Sequence, residues 1–337
     1  DDHAEATDVT MASVDAAHDA TTMPKDDAAS GRQQKARNRA YQEHKPISIG
    51  LKLISSIPGV LDTLPYETYT GADVSEWFLK RLIEYEDMCA KYLFDEARMV
   101  MTTDDQAAFA AATVCYICDK QFGTTTSARK VRDHDHISGE YRGAAHCSCN
   151  LAKRRQRKIP VFFHNFRGFD SHLIVPALGN HKDRKLKVIA QTMEKYMQLQ
   201  FGDHIVYKDS LQFMSCSLAK LVANLLKSGR NGFKHLLHEF RKYSDAHVDL
   251  LLRKGVYPYD YATSEARLIE TKQIPPREAF FNQLAQEECS VENYEHAKRV
   301  WTTFKCETLL DYHNLYLKCD VMLLADVFET FRTTAMR

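Results

Sequence analysis

The spacing of apolar positions changes several times along the chain, and each change marks an element. Over 46–56, Ile47, Ile49, Leu51 and Leu53 alternate with polar or small residues, which predicts a half-buried strand. Over 72–97 the spacing becomes helical, with Val74, Phe78, Leu82, Tyr85, Met88 and Tyr92 on one stripe. Thr103-Asp-Asp-Gln106 is a capping-box pattern that predicts a helix start. Residues 159–163 are apolar throughout, the pattern of a strand buried on both faces. A helix is expected from Ser171, strands near 186–189, 197–201 and 205–208, and mostly helix after that. Over 307–332, Leu310, Tyr316, Leu317, Val321, Leu324, Val327, Phe328 and Phe331 recur mostly at three- and four-residue spacing, predicting a long helix. Strands interleaved with helices define an α/β chain, and no internal repeat is evident.

Composition qualifies this picture at the amino end. Residues 1–31 are rich in Ala, Asp and Thr, nearly free of large apolar side chains and acidic, so 1–40 is expected to be disordered. The whole chain balances 45 Lys and Arg against 45 Asp and Glu. The balance is local, however. Over 129–158, nine lysines and arginines, Arg154 and Arg155 among them, face three carboxylates, which should draw a polyanion such as DNA. No apolar run approaches the ~20 residues that span a bilayer. No signal peptide appears either. Nine cysteines are therefore read as reduced thiols in an intracellular protein with no membrane partner.

The thiols carry chemistry. Cys115-x2-Cys118 and His146-x2-Cys149 are two soft-ligand pairs that can close a tetrahedral zinc site. Cys147 is the competing ligand, but only His146 and Cys149 repeat the x2 spacing of the first pair. Between the pairs lies Asp133-His134-Asp135-His136, and Asn150 directly follows the last ligand. Loops between ligand pairs are often no more than solvated. Here a neutral imidazole is the usual general base, and an aspartate beside it is a hard ligand for magnesium, so a nuclease is indicated.

Cys-x2-Cys, Asp-His-Asp-His and Arg142-Gly-x2-His146-x2-Cys149-Asn150 together resemble the recombination endonuclease VII branch of the ββα-metal nucleases. The resemblance implies structural Zn2+ on Cys115, Cys118, His146 and Cys149. It implies a catalytic divalent ion, Mg2+ or Mn2+, on Asp133 and Asn150. His134 would activate water and His136 would assist at the scissile phosphate. The third zinc ligand is His where the phage enzymes have Cys.

Beyond the basic run the chain points elsewhere. The 159–163 strand ends in Asn165, a Gly168 turn, Phe169 and Asp170, and open α/β sheets bind ligands at such strand ends. On the distal helix Tyr316 and Asp320 lie one turn apart, and Asp320 sits in the apolar stripe, where a bound cation would offset the cost of burial. Asn165-x3-Phe169-Asp170 and Tyr316-x3-Asp320 resemble the second and third exonuclease motifs of family B DNA polymerases. Supporting segments are those beginning at His44, Leu64, Lys130, Ile159, Tyr257 and Tyr312, and they extend the resemblance to the protein-primed polymerases of Polinton/Maverick elements, viruses and organellar plasmids.

That resemblance implies an RNase H-like 3′–5′ exonuclease core, a mixed sheet flanked by helices, over 41–102 and 159–337, interrupted by the zinc module at 103–158. Asp170 and Asp320 would hold metal, Tyr316 would orient water, and Asn165 and Phe169 would contact the frayed single-stranded primer end. Ser217-Leu218-x2-Leu221 resembles a motif that contacts single-stranded DNA and a terminal priming protein, although on sequence alone a Ser cap on an ordinary amphipathic helix is the better explanation. The first exonuclease motif, Asp-x-Glu, and the polymerase signatures do not occur in the sequence. The expectation is thus an exonuclease-region piece of a type B DNA polymerase, acting in the nucleus or at a viral or element replication site with the rest of its polymerase chain. The alternatives are a free-standing endonuclease for branched DNA and a non-catalytic DNA-binding module.

Overall fold

The computed structural model describes residues 9–17, 44–55, 64–94, 97–136, 138–152, 158–190, 196–283 and 286–335. In chain order the strands are β1 (Val9–Ala17), β2 (Lys45–Ile54), β3 (Glu67–Thr70), β4 (Lys130–His134), β5 (Tyr141–His146), β6 (Ile159–Phe163), β7 (Leu186–Ala190), β8 (Tyr196–Phe201) and β9 (Ile205–Asp209). The helices used below are α1 (Val74–Phe94), α2 (Thr103–Ala111), α3 (Cys147–Ala152), α4 (Asp170–Leu178), α5 (Leu218–Lys227), α6 (Lys234–Glu239), α7 (Asp245–Asp249), α8 (Glu265–Glu270), α9 (Val291–Thr303) and α10 (Leu309–Ala335). This mixed α/β chain divides into two compact units, one made of 1–81 with 160–337 and a smaller one of 82–159.

The larger unit holds a seven-stranded sheet in the order β3-β2-β1-β6-β9-β8-β7. β1 runs antiparallel to β2 and parallel to β6, and β2 is antiparallel to β3. Val9–Ala17, which composition assigned to a disordered segment, is therefore a strand inside the sheet. It pairs along its length with β2, and Thr10 and Met11 pair with Val161 and Phe162. Ladder hydrogen bonds come from the backbone and need no large side chain, so a composition average over the acidic segment misses them.

β2 also departs from its sequence pattern. Residues 48–54 are buried on both faces, including the polar members of the alternation, Ser48 and Lys52. Each has a specific partner. Ser48 Oγ is hydrogen-bonded to His313 Nε2, and Lys52 Nζ donates to Leu64 O at 2.5 Å with Glu239 at 3.9 Å. β6 is buried on both faces as its apolar run predicts. Phe163 meets Phe78 of α1 edge-on at 5.9 Å, and Phe162 lies 3.8 Å from Phe328 of α10. α10 is the buried spine of this unit, packed against β1, β2, α5, α6 and α8.

In the smaller unit, α2 starts one residue earlier than the capping box placed it. Thr102 Oγ1 accepts from Asp105 N at 3.1 Å, and Asp105 returns a bond from Thr102 N at 2.8 Å. A carboxylate is a stronger acceptor at a helix amino end than the Gln106 amide, which decides the register. This unit reaches back ahead of Thr103, because Ala97 N donates to His136 O at 2.8 Å and Val100 N to Gly139 O at 2.7 Å. Among the described residues, no helix is long and apolar enough to cross a membrane.

His313 gives the larger unit a testable pH dependence. It is fully buried between Ser48 and Tyr257, and burial brings its pKa down to about 4. The unfolded chain takes up a proton near 6.5 that the folded chain refuses, so stability present above that pH is lost as pH falls toward 4. Denaturant unfolding of wild type and His313→Gln at about pH 7.5 and about pH 5 should show the wild type losing roughly 2 kcal/mol relative to the variant on acidification. An equal difference at both pH values would show that His313 is not held neutral.

Candidate functional site

The smaller unit is built on a hairpin and a helix. β4 and β5 pair antiparallel, with Lys130 opposite His146 and Asp133 opposite Gly143, and the register shifts between Asp133 and His134. The turn between them is closed by Asp135, whose backbone N–H donates to Glu140 O at 2.7 Å and whose carboxylate accepts from Ser138 N at 3.0 Å. Gly139 is required there: it takes φ of +77°, and a Cβ would lie 2.4 Å from Arg98 O. α3 follows β5 without a break and packs on both strands.

Cys115, Cys118, His146 and Cys149 converge, with all four ligand atoms within 4.8 Å of one another. Cys118 Sγ lies 3.3 Å from His146 Nδ1, and Cys149 Sγ lies 3.7 Å from both Cys118 Sγ and His146 Nδ1. Zn–S bonds of ~2.3 Å in a tetrahedron put sulfurs about 3.8 Å apart, so the donors fit zinc. The histidine tautomer fits as well. His146 Nε2 lies 3.0 Å from Gln121 O, which can only accept, so Nε2 carries the proton and Nδ1 presents its lone pair to the sulfurs. Burial pushes the Cys115 thiol up, but N–H groups of His146, Ile117 and Cys118 aimed at the sulfur outweigh it and bring the pKa down to about 7. These four residues could bind zinc. Cys147 is not among these four converging donors, and its backbone N–H donates to Arg129 O at 3.0 Å.

Asp133 and His134 are the last two residues of β4, and His136 follows two residues on. Asp133 is buried and accepts from the Tyr116 hydroxyl. Burial first, then the Asp133 carboxylate, pushes the Tyr116 pKa well above its ordinary value, so the phenol stays a donor. The rings of His134 and His136 are 4.6 Å apart. Asn150 is half-buried on α3. The basic residues are less free than their count implied. Lys130 Nζ donates to Ala112 O at 2.7 Å and Ala110 O at 3.2 Å, capping the carboxyl end of α2. Arg132 lies over the Phe109 ring at 4.5 Å, and Arg142 pairs with Asp135 at 2.8 Å. Arg154 and Arg155 lie outside the described residues.

The other candidates belong to the larger unit. Asn165 has φ of +75°, and its turn is held by Asp209, whose carboxylate accepts from the N–H groups of Asn165 at 2.9 Å, Leu211 at 3.0 Å and Arg167 at 3.2 Å. Phe169 precedes α4 with its ring edge-on to His44, and Asp170 opens the helix, buried. Tyr316 and Asp320 are buried on α10. The positive charge that meets Asp320 is Lys254, which also donates to Tyr316 Oη at 2.7 Å. His164, at the end of β6, has its pKa lowered first by burial and then feels Asp209, Lys254 and Asp320, so the β6 end and this turn of α10 share one neighbourhood. Among the described residues, no group of three or more His, Cys, Asp or Glu ligands includes Asp170 or Asp320. Ser217 caps α5 through Lys220 N at 3.4 Å, and Leu218 packs in the core.

Tyr116, Asp209 and Lys254 were not singled out from sequence. Only Tyr116 carried a signal, an aromatic inside the Cys-x2-Cys pair.

Residues 94–167 match the family model for recombination endonuclease VII. This part of the chain is an endonuclease VII-like nuclease module. No curated protein matches the chain, and no solved structure does.

Metal content tests the ligand set. Zinc should be stoichiometric in wild type and in His146→Cys, since zinc accepts either donor, and lost in Cys118→Ala. Retention of zinc by Cys118→Ala would remove that residue from the site.

Proposed function

We propose that this chain is a zinc-stapled endonuclease that cuts branched DNA, with its working part inside 94–167. The observation that carries the reading is the endonuclease VII match falling on a ββα unit closed by four converging zinc-type donors. In this reading zinc holds the hairpin to the helix and takes no part in chemistry. His134 takes a proton from the attacking water, and His136 beside it assists at the scissile phosphate. Asp133 and Asn150 offer hard oxygen donors suited to Mg2+ or Mn2+, and the Tyr116 hydroxyl engages Oδ2 of Asp133. Such a cation neutralises charge developing on the phosphate. Water adds to phosphorus, one P–O ester bond breaks, and the leaving oxygen regains a proton.

Zinc-loaded protein with Mg2+ should nick branched DNA, and His134→Ala should lower the rate by roughly 10²–10⁴-fold with zinc retained. Cleavage that survives the substitution would place the base elsewhere. Salt-steep DNA binding with no hydrolysis under any divalent metal would favour the non-catalytic DNA-binding reading.

A second reading is supported by the larger unit: an exonuclease-region part of a type B DNA polymerase with an RNase H-like core, working on a primer end with a terminal priming protein. What favours it is the sheet, a β1-β2-β3 antiparallel meander whose first strand pairs in parallel with the strand leading to Asn165. The shared neighbourhood of His164, Lys254 and Asp320 adds to it. The family match lends it no support. Sequencing the flanking reading frame decides it: an Asp-x-Glu motif upstream and polymerase signatures downstream are required, and flanking stop codons would end it.

A further inference from the structure

Tyr116 joins the two halves of the nuclease module. It sits between Cys115 and Cys118, and its backbone N–H donates to Ala144 O on β5 at 3.0 Å. Its ring lies against Gly143, where a Cβ would fall 2.7 Å from Tyr116 Cδ1. Gly143 is the cross-strand partner of Asp133, and over that gap the Tyr116 hydroxyl reaches Asp133 Oδ2. The absence of a side chain at Gly143 is thus what lets the ring cross the hairpin.

A carboxylate that binds a cation loses affinity when it is free to rotate, and a hydrogen bond to one oxygen fixes the direction of the other. The donor here is anchored by the metal knuckle on either side of it. We propose that Tyr116 is a positioning residue that aims the Asp133 carboxylate at the catalytic cation and makes that aim depend on the zinc knuckle. This rests on the nuclease reading above. Tyr116 touches neither substrate nor cation and acts through Asp133, with Arg142 beside its hydroxyl.

Tyr116→Phe in the full zinc-loaded chain keeps the ring and removes only the O–H. Zinc content and metal-free DNA binding should be unchanged. Mn2+ affinity, read by electron paramagnetic resonance, should weaken by about 10-fold, and the Mg2+ concentration for half-maximal cleavage should rise by about the same factor. Gly143→Ala displaces the ring from the other side and should weaken Mn2+ binding similarly, with little further loss in the double variant because both act on one contact. Unchanged Mn2+ affinity in Tyr116→Phe, or fully additive losses in the double variant, would overturn the proposal. The two readings fail separately. A wild type that binds Mn2+ but cuts no DNA sinks the nuclease function, and Tyr116→Phe then still tests the positioning through Mn2+ alone. A wild type that cuts, with a Tyr116→Phe variant indistinguishable from it, sinks only the positioning.

Discussion

Four soft donors lie within 4.8 Å of one another in the smaller unit and tie the Cys115–Cys118 knuckle to the end of β5 and to α3. Neither α2 nor α3 contributes a buried residue, and the buried positions on the hairpin are Asp133, Ala144, Ala145 and His146, small or polar. The apolar core of this unit is small, with Leu82, Tyr85 and Cys89 its buried side chains on α1, and small units recover little free energy from apolar burial. Zinc bound at the four donors would add to it, because the ligands are brought together only in the folded chain. The position of Asn150 one residue after Cys149, and of Tyr116 one residue after Cys115, then follows from the metal group.

The same unit shows why a count of charges overstates what reaches a phosphate backbone. Lys130 caps α2, Arg132 lies on Phe109, and Arg142 closes the turn through Asp135. An intramolecular ion pair or cation–π contact spends part of the field that would attract a polyanion. Of the local positive excess, these three therefore first hold the hairpin in shape.

What was legible in the sequence is what short-range geometry dictates. Ligand spacing identified Cys115, Cys118, His146 and Cys149, because a tight turn must present each pair. Periodicity located β2, α1 and α10, and an unbroken apolar run located β6. What was not legible depends on distant partners. Val9–Ala17 is a strand through the backbones of β2 and β6, not through its own side chains. Ser48 and Lys52 looked like the solvent face of β2 but are buried because His313, Leu64 and Glu239 meet them. Tyr116, Asp209 and Lys254 matter only through Asp133, the Asn165 turn and Asp320, and no local pattern in the chain announces those pairings.

Buried carboxylates show how the two units differ as candidate cation sites. In the larger unit Asp209 accepts backbone N–H groups and the Arg167 side chain, which complete a turn. Asp326 accepts from His235 N at 2.7 Å and Leu236 N at 3.0 Å, with burial pushing its pKa up to about 7. Asp320 is met by the Lys254 ammonium. Asp320 Oδ1 is buried without a hydrogen-bond partner, but a cation arriving there would have to displace the ammonium already in place. Asp133 accepts from the Tyr116 phenol, a neutral donor that orients a carboxylate without neutralising it, and the Arg142 guanidinium lies beside that phenol. An incoming cation thus meets a resident ammonium at Asp320 and a phenol at Asp133, and the proposed working site on the zinc-type hairpin rests on that difference together with the endonuclease VII match.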